Sequence, residues 1–322
     1  MRYMALFAVL ALPSAAWPSQ DPRAWLDRMS NAVQSLSYEG TFIYMRGDDV
    51  DSMHIIHGRD KDGVRERLFS LTGEAREFIR DQGVLTCVWA HKHSVVVERT
   101  RIRHGVPTAL PTDTQGLDDY YRFKITGSDR IAGQACRTIT IRPKDDLRYG
   151  HKLCVDKDSG MLLKSVMLNA ANIPIEEVMF TSIKLLKDIP DHRFKPTMIG
   201  KNDIWRRVRT ENEPHGLKPD LSWRIGRIPP GFKVTGNTKR MIAANPQPVQ
   251  HMILTDGLAS VSVFIAKPQN RAALFKGTMH SGALNAFARS VDNYQITVVG
   301  EVPEDTVKTI GQSIAYKSTS AN

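Results

Sequence analysis

Alternating apolar and polar positions predict four consecutive β-strands in the middle of the chain. The predicted strands are Ala135–Arg142, Gly150–Asp156, Met161–Leu168 and Ile175–Lys184. The segments between them are rich in Pro, Asp, Asn and Gly and too short for crossover helices, so we expect an antiparallel meander. Ile139 and Leu153 share one face, which we expect to be buried. Cys136 and Cys154 share the other face.

One amphipathic helix is predicted ahead of these strands. Asp21 and Pro22 are typical of the cap and the first residue of a helix. Apolar residues then recur at helical spacing: Trp25, Leu26, Met29, Ala32, Val33 and Leu36. We therefore expect a helix that packs one face on the sheet.

The strand pattern fills the interval between this helix and the meander. The predicted strands are Tyr38–Arg46, Met53–Gly58, Val64–Leu71, Arg76–Asp81, Val84–Ala90, Ser94–Arg99 and Tyr121–Thr126. In the first of them both faces are apolar, which favours a strongly curved sheet with a concave lining that holds an acyl chain or a peptide. A filled core on the second face is the alternative. The interval His104–Tyr120 is either a lid or a plain loop.

The pattern changes after Pro190, and 322 residues are more than one core usually serves. We expect a large β domain over 21–200, a linker over 201–220 and a small α+β domain over 221–318. The predicted strands of the small domain are Ser222–Arg224, Phe232–Thr235, His251–Leu254, Leu258–Ala266, Ala283–Arg289 and Tyr294–Gly300. A last helix begins near Pro303.

The first 16 residues have the composition of a secretory signal peptide. Arg2 is followed by the apolar run Met4–Leu12 and by small residues at 14–16. A buried N-terminal helix is the alternative, but Pro13 and Pro18 oppose it. No later apolar run reaches the roughly 20 residues that a membrane-spanning helix needs. We therefore expect an exported protein of the periplasm.

The charge balance indicates acidic partners. The chain has 44 Lys and Arg against 34 Asp and Glu, a net charge of +10. Export removes nucleic acid from the candidates, and no basic surface interleaved with aromatic residues is apparent. Phosphorylated lipid headgroups or an acidic peptide are the better candidates. A generally basic surface without a specific partner is the alternative.

Three cysteines in an oxidising compartment are consistent with one disulfide and one free thiol. If the first hairpin closes symmetrically about Asp145, Cys136 and Cys154 lie directly opposite each other. The alternative is three free thiols. Cys87 has the setting of a buried small apolar residue rather than a reactive thiol.

The search for catalytic chemistry is negative. Ser260 and Ser262 have no base or acid placed beside them by the sequence. His91 and His93 have the spacing of a metal pair, but two exposed loop histidines explain them better. We therefore expect no enzymatic activity, no metal site and no cofactor.

Several ordered motifs resemble the MucB/RseB family. In the large domain they are Tyr38–Phe42, Glu66–Leu68, Arg76–Arg80, Arg130–Gly133 and Pro143–Gly150. In the small domain they are Asp256–Phe264 and Thr297–Pro303. No single motif is decisive, but the ordered combination spans nearly the whole mature chain.

The resemblance implies a periplasmic negative regulator of the envelope-stress sigma factor, of the sigma-E or AlgU type. Members bind the periplasmic domain of a membrane anti-sigma factor, RseA or MucA, and shield it from proteolysis. A lipid or lipopolysaccharide signal is thought to release it. The resemblance also implies a large domain like LolA and LolB, an unclosed antiparallel β-barrel with helices, and it allows a homodimer.

Bulky apolar residues on the helix and the sheet are the candidates for the lining of a lipid or partner cavity. They are Trp25, Tyr38, Phe42, Tyr44, Phe123, Met167 and Phe180. The leading hypothesis is regulation by binding of the anti-sigma factor, with lipid as the competing signal. The alternative is a carrier of lipid or lipoprotein between the two membranes. An enzyme acting on envelope lipids is a more distant third.

Overall fold

A computed structural model describes residues 21–60, 63–99, 116–200, 202–208, 217–242, 245–268 and 275–317 of the chain. The predicted signal peptide over 1–16 lies outside these residues. So does most of the interval expected as a lid or loop, of which Leu117–Asp119 forms a short 3-10 turn.

The chain is mainly β, with two α-helices in its described parts. The helices are α1 (Pro22–Ser35) and α2 (Glu304–Ser313). The strands of the first part are β1 (Ser37–Arg46), β2 (Asp49–Asp60), β3 (Gly63–Ser70), β4 (Arg76–Asp81), β5 (Val84–Trp89), β6 (Ser94–Arg99), β7 (Tyr121–Ile131), β8 (Gln134–Pro143), β9 (Gly150–Asp156), β10 (Leu162–Leu168), β11 (Pro174–Leu186) and β12 (Ile204–Val208). Those of the second part are β13 (Trp223–Ile225), β14 (Lys233–Ile242), β15 (Asn245–Thr255), β16 (Ser260–Ala266), β17 (Gly277–Ser281), β18 (Leu284–Val291), β19 (Tyr294–Gly300) and β20 (Ile314–Tyr316).

The first part, here called the N-terminal unit, is one open twelve-stranded sheet. Its strands lie in the order β12, β6, β5, β4, β3, β2, β1, β11, β10, β9, β8, β7. The end strands β12 and β7 are not paired with each other in the described sheet, so it is an unclosed barrel wall. The predicted meander is confirmed as β8 to β11, and every pair except β12 with β6 is antiparallel.

Helix α1 covers the β7–β9 end of this sheet. The Asp21 side chain accepts a hydrogen bond from the backbone N–H of Arg23, which caps the helix start as predicted. Trp25, Leu26 and Met29 are buried in one cluster with residues of alternate strand positions. Those residues are Tyr121, Ile139, Ile141, Leu153, Val155 and Leu162, with Leu117 beside them. Strand alternation therefore predicted the face that the helix buries.

The predicted linker over 201–220 contributes a strand to the large sheet. Ile204–Val208 forms β12 and pairs in parallel with β6. The segment that leads into β12 is held by Glu77. This residue is fully buried and accepts hydrogen bonds from the backbone N–H groups of Thr197 and Met198. Arg67 neutralises this carboxylate. The part over 209–216 lies outside the described residues.

The second part, the C-terminal unit, is an α+β layer. Its sheet has the order β14, β15, β16, β19, β18, β17, and β13 pairs with β20 in a separate ribbon. Helix α2 packs Val307 and Ile310 on this sheet against Phe287 and Val298. Strand β17 was not predicted, because all five of its residues are exposed and show no apolar alternation.

The first hairpin of the meander closes one residue away from the predicted centre. Thr138 pairs with Cys154 and Cys136 pairs with Asp156, so the two cysteines are diagonal neighbours rather than directly opposite. The structure nevertheless contains the Cys136–Cys154 disulfide, with the Cα atoms 5.4 Å apart. The predicted symmetry about Asp145 was wrong because the turn is placed by hydrogen bonds of that side chain to Leu147 and Arg148.

Candidate functional site

Three of the predicted cavity residues form packed core. Tyr38, Phe42 and Phe180 are each no more than 3% exposed. Phe180 contacts both other rings edge-on, with ring centroids 6.3 Å from Tyr38 and 5.7 Å from Phe42. Burial raises the pKa of the Tyr38 hydroxyl, and the Glu66 carboxylate adds to this rise. In this structure these side chains fill the space that they were expected to line.

The other four candidates are distributed over two places. Trp25 belongs to helix α1 and is buried against the sheet, and Phe123 is half-buried with the Arg23 guanidinium 5.5 Å from its ring centre. Tyr44 and Met167 are half-buried and lie on either side of β11, whose Glu176 is the register partner of Met167. Burial and the neighbouring Glu176 carboxylate raise the pKa of Tyr44 to about 12. Tyr44 packs on the cluster of Tyr38, Phe42 and Phe180, whereas Trp25 and Phe123 belong to the cluster between helix α1 and the sheet.

A half-buried apolar row continues the inner face across four strands. Leu68 pairs with Phe78, Phe78 with Cys87 and Cys87 with Val96, so all four share one face of β3 to β6. Each is partly exposed, and Trp89 packs edge-on to Phe78 with ring centroids 6.2 Å apart. Alternation in the predicted strands was the signal that could have identified this row.

A polar row runs beside the apolar one on the same face. His57 stacks on Tyr38, and its Nδ1 lies 3.0 Å from the Glu66 carboxylate. The other oxygen of Glu66 pairs with Arg80 at 3.0 Å. His57 Nε2 and Arg80 Nε are buried without a hydrogen-bond partner among the described residues. The inner face therefore combines apolar side chains with polar atoms that remain available for hydrogen bonds.

The joint between the two units is built around Arg148, whose side chain is fully buried. Its guanidinium donates to Asp256 Oδ2 at 2.7 Å, to the Pro230 carbonyl at 2.6 Å and to Asp145 Oδ1 at 3.1 Å. Two of these three acceptors belong to the C-terminal unit. The rings of Tyr120, Tyr121 and Phe232 lie 5.0–5.4 Å from the guanidinium carbon. The buried Arg148 guanidinium is thus stabilised by an ion pair, by hydrogen bonds and by contacts with aromatic rings.

The Asp256 carboxylate accepts hydrogen bonds from residues of both units. Its Oδ1 accepts from the backbone N–H groups of Leu258 and Ala259, which closes the β15–β16 turn. Its Oδ2 accepts from Arg148 and from the Tyr121 hydroxyl at 2.7 Å. Burial, with the Asp256 charge adding to it, raises the pKa of Tyr121. One turn residue therefore organises a hairpin and joins it to the other unit.

A second set of contacts extends the joint along the meander. Glu176 Oε1 accepts from the backbone N–H of Ala283 at 2.9 Å. The Thr306 hydroxyl donates to the Leu147 carbonyl at 2.7 Å, and Asn285 donates to the Tyr149 hydroxyl at 2.9 Å. These bonds connect β18 and α2 with strands and turns of the large sheet. The two units are held by several fixed contacts rather than by a tether alone.

Two glycines of the C-terminal unit allow the close approach. Gly231 has φ +84°, and a Cβ there would lie 2.6 Å from the Tyr120 ring. Gly282 has φ +60°, and a Cβ there would overlap Arg46 and Glu176. Both positions need glycine for conformation and for space.

Several of the residues that the sequence singled out as possible metal ligands or nucleophiles have polar neighbours in the structure. His91 pairs with Glu74, and His93 lies 3.2 Å from Asp203. Among the residues that the structure describes, no group of three or more His, Cys, Asp or Glu is placed to hold a metal ion. Ser262 does have a histidine neighbour, His251 at 3.0 Å, which the sequence did not indicate. No helix in the described ranges is long and apolar enough to cross a membrane.

Family models match both units of the chain. The model of the MucB/RseB N-terminal domain matches residues 21–198, and that of the MucB/RseB C-terminal domain matches residues 218–315. The chain belongs to the MucB/RseB family. The motifs that carried this resemblance, such as Pro143–Gly150 and Asp256–Phe264, include both partners of the buried Arg148–Asp256 pair.

Curated relatives from this family are similar over most of their length. The sigma factor AlgU regulatory protein MucB of Pseudomonas aeruginosa is 28% identical, over 97% of this chain and 95% of that protein. The sigma-E factor regulatory protein RseB of Escherichia coli is 25% identical, over 91% of this chain and 90% of that protein. Both relatives are named as regulatory proteins.

Solved structures of MucB share the whole fold. A MucA/MucB complex from Pseudomonas aeruginosa matches with a TM-score of 0.69 and 27% identity, over 92% of this chain and 99% of that one. A second structure, MucB with the periplasmic part of MucA, matches with a TM-score of 0.68 and 28% identity, over 93% and 100% of the two chains. The similarity includes both units.

Proposed function

We propose that this MucB/RseB family member is a periplasmic regulator that binds the periplasmic domain of a membrane anti-sigma factor of the MucA type. Binding shields that domain from proteolysis and so restrains the envelope-stress response. The protein acts by binding and does not catalyse a reaction. The observation that carries this proposal is the match of the whole described fold to MucB solved in complex with MucA.

The geometry of the joint supports a partner that contacts both units. Arg148, Asp256 and Tyr121 hold the two sheets in one arrangement, so a segment lying across them meets a preorganised surface. The half-buried row from Leu68 to Val96 offers apolar contacts on the N-terminal unit. The net charge of +10 favours an acidic segment.

We further propose that a lipid or lipopolysaccharide signal releases the partner at the inner face. Because Tyr38, Phe42 and Phe180 are packed here, an acyl chain must displace them or occupy the half-exposed row beside them. A lipid that prefers the displaced arrangement lowers the affinity for the partner by linkage. His57 Nε2 and Arg80 Nε are the polar atoms available to its headgroup.

The test is a titration of the mature chain with the purified periplasmic domain of its anti-sigma factor. Calorimetry should give saturable binding, and the bound domain should resist a site-specific protease. The same titration with lipopolysaccharide or with detergent micelles separates the release step from binding. Absence of binding without lipid would refute the regulatory proposal, whereas binding unaffected by lipid would refute only the release.

A further inference from the structure

Four exposed cations lie together on the outer face of β7, β8 and β9. Arg122 is paired directly with Arg142 across β7 and β8. Lys124 pairs with Thr140, and Thr140 pairs with Lys152, so two lysines flank one threonine across three strands. Directly opposite residues of an antiparallel pair project on the same side of the sheet. All four basic side chains are exposed. We call these four residues the cationic face.

The other side of the same strands is apolar and covered. Phe123, Ile139 and Leu153 alternate with the basic positions and pack under helix α1. The cations therefore have a fixed backbone beneath them and cannot turn inward. Thr140, which lies between the two lysines, is only 7% exposed. The long lysine stems can cover this threonine while their ammonium groups reach solvent.

Stability does not explain this arrangement. Like charges that lie directly opposite in a sheet are destabilising, as in the Arg122–Arg142 pair. None of the four basic side chains has an ion pair among the described residues. On that side the register leads from Lys152 through Val166 to Glu177, which is itself paired with Lys164 at 2.6 Å. The positive charge is thus uncompensated within the described structure.

We propose that the cationic face docks the chain on an anionic phospholipid bilayer surface. The four charges spread over two dimensions, with two on β7 and one each on β8 and β9, as a plane of headgroup phosphates requires. An extended acidic peptide would present its charges along one line. Arg122 and Arg142 can each bind a phosphate with two hydrogen bonds, and the lysines act as point charges. The proposal does not depend on the proposed function.

The test is co-sedimentation of the mature chain with vesicles of phosphatidylcholine, alone or mixed with phosphatidylglycerol. Wild-type protein should bind only the anionic vesicles, and added salt should release it. A Lys124→Glu/Lys152→Glu variant should bind them at least roughly 25-fold more weakly, since each basic residue near an anionic surface contributes about fivefold. A Lys187→Glu/Lys233→Glu variant carries the same charge change at two exposed positions elsewhere and should keep most of the binding.

Three results would overturn the proposal. One is equal binding to vesicles of phosphatidylcholine alone. Another is an equal loss in both double variants, which would assign the effect to net charge. The third is binding of a polyglutamate peptide that depends on Lys124 and Lys152 while anionic vesicles do not bind. If the Glu variant does not fold by circular dichroism, Lys124→Gln/Lys152→Gln replaces it, with an expected loss of about 25-fold because each neutralised lysine contributes about fivefold.

Discussion

Arg148 and Asp256 form an ion pair that is completely enclosed between the two units, with both side chains 0% exposed and the closest nitrogen and oxygen 2.7 Å apart. The pair joins residues that are 108 positions apart in the chain. The guanidinium nitrogens of Arg148 and both carboxylate oxygens of Asp256 have partners in the same joint, so their desolvation is compensated only when both units are in place. The relative position of the units therefore depends on this contact.

Removing one charge of this pair should strongly destabilise the protein. Asp256→Asn keeps the size of the side chain and the turn acceptor, but leaves Arg148 buried as an unpaired cation. We expect a loss of about 3–5 kcal/mol in the free energy of unfolding. Chemical denaturation followed by tryptophan fluorescence measures it.

The control for this variant is a solvent-exposed ion pair of the N-terminal unit. Arg46 and Asp49 are 3.8 Å apart, with Asp49 81% exposed, so Asp49→Asn should change stability by less than about 1 kcal/mol. Replacing the arginine as well, in Arg148→Met/Asp256→Asn, should recover part of the loss, because it removes the unpaired cation and keeps the turn acceptor. Equal costs for Asp256→Asn and Asp49→Asn would contradict the role given to the joint.

A methyl group at Gly231 should push the two units apart. Its Cβ would lie 2.6 Å from the Tyr120 ring, at a backbone φ of +84°. We expect Gly231→Ala to lose about 2–4 kcal/mol, which combines backbone strain with overpacking. Gly277→Ala is the matched control, because φ there is +106° and nothing lies within 4 Å of the added carbon. Thermal unfolding compares them, and identical shifts of the midpoint would show that contact with Tyr120 is unimportant.

Acid should weaken the protein through His151. Burial lowers the pKa of His151 to about 4, although the neighbouring Asp256 carboxylate opposes this shift. The folded protein thus binds the proton less readily than the unfolded chain, and stability falls as the pH decreases from about 6.5 towards 4. The loss amounts to roughly 3 kcal/mol at most.

A His151→Gln variant isolates this titration. Its free energy of unfolding, measured by urea titration at several pH values, should fall less steeply than that of the wild type between pH 6.5 and 4. Other groups titrate equally in both proteins and cancel in the difference. Parallel curves would mean that His151 does not titrate in this interval.

Loss of the Cys136–Cys154 disulfide should cost about 3 kcal/mol, because the 18-residue separation sets the chain entropy that the bridge removes. The double variant Cys136→Ala/Cys154→Ala tests this value by denaturation without reductant. Cys87→Ala, at the cysteine outside the bridge, should change stability much less. A titration of free thiols in the unfolded, unreduced wild type should find one; three would remove the bridge.

The local sequence pattern was sufficient to predict most of the helices and strands, because caps, turn residues and apolar periodicity mark each of them. Asp21 and Pro22 marked the start of α1, and turn residues separated the meander strands. The short edge strand Ile204–Val208 was missed, since its Arg-rich sequence resembles a linker and its partner strand lies about a hundred residues earlier.

The joint was beyond the reach of sequence pattern. Arg148 and Asp256 both occur in turn motifs, where charged residues are normally solvated and explained by local hydrogen bonds. Their burial results from contact between units, which periodicity does not report. Parity likewise placed Tyr38, Phe42 and Phe180 on apolar positions, but it does not tell whether the space between such residues is open or filled.

Truncation at Phe180 distinguishes a packed inner face from an open one. The ring is 3% exposed and contacts both Tyr38 and Phe42, so Phe180→Ala should lose about 3–5 kcal/mol of stability through the cavity it leaves. Phe78→Ala, in the half-exposed row, should lose less than half as much. Denaturation of both variants gives the comparison. If Phe180→Ala costs less than about 1 kcal/mol, the ring borders open space, and the acyl chain of a releasing lipid needs to displace nothing.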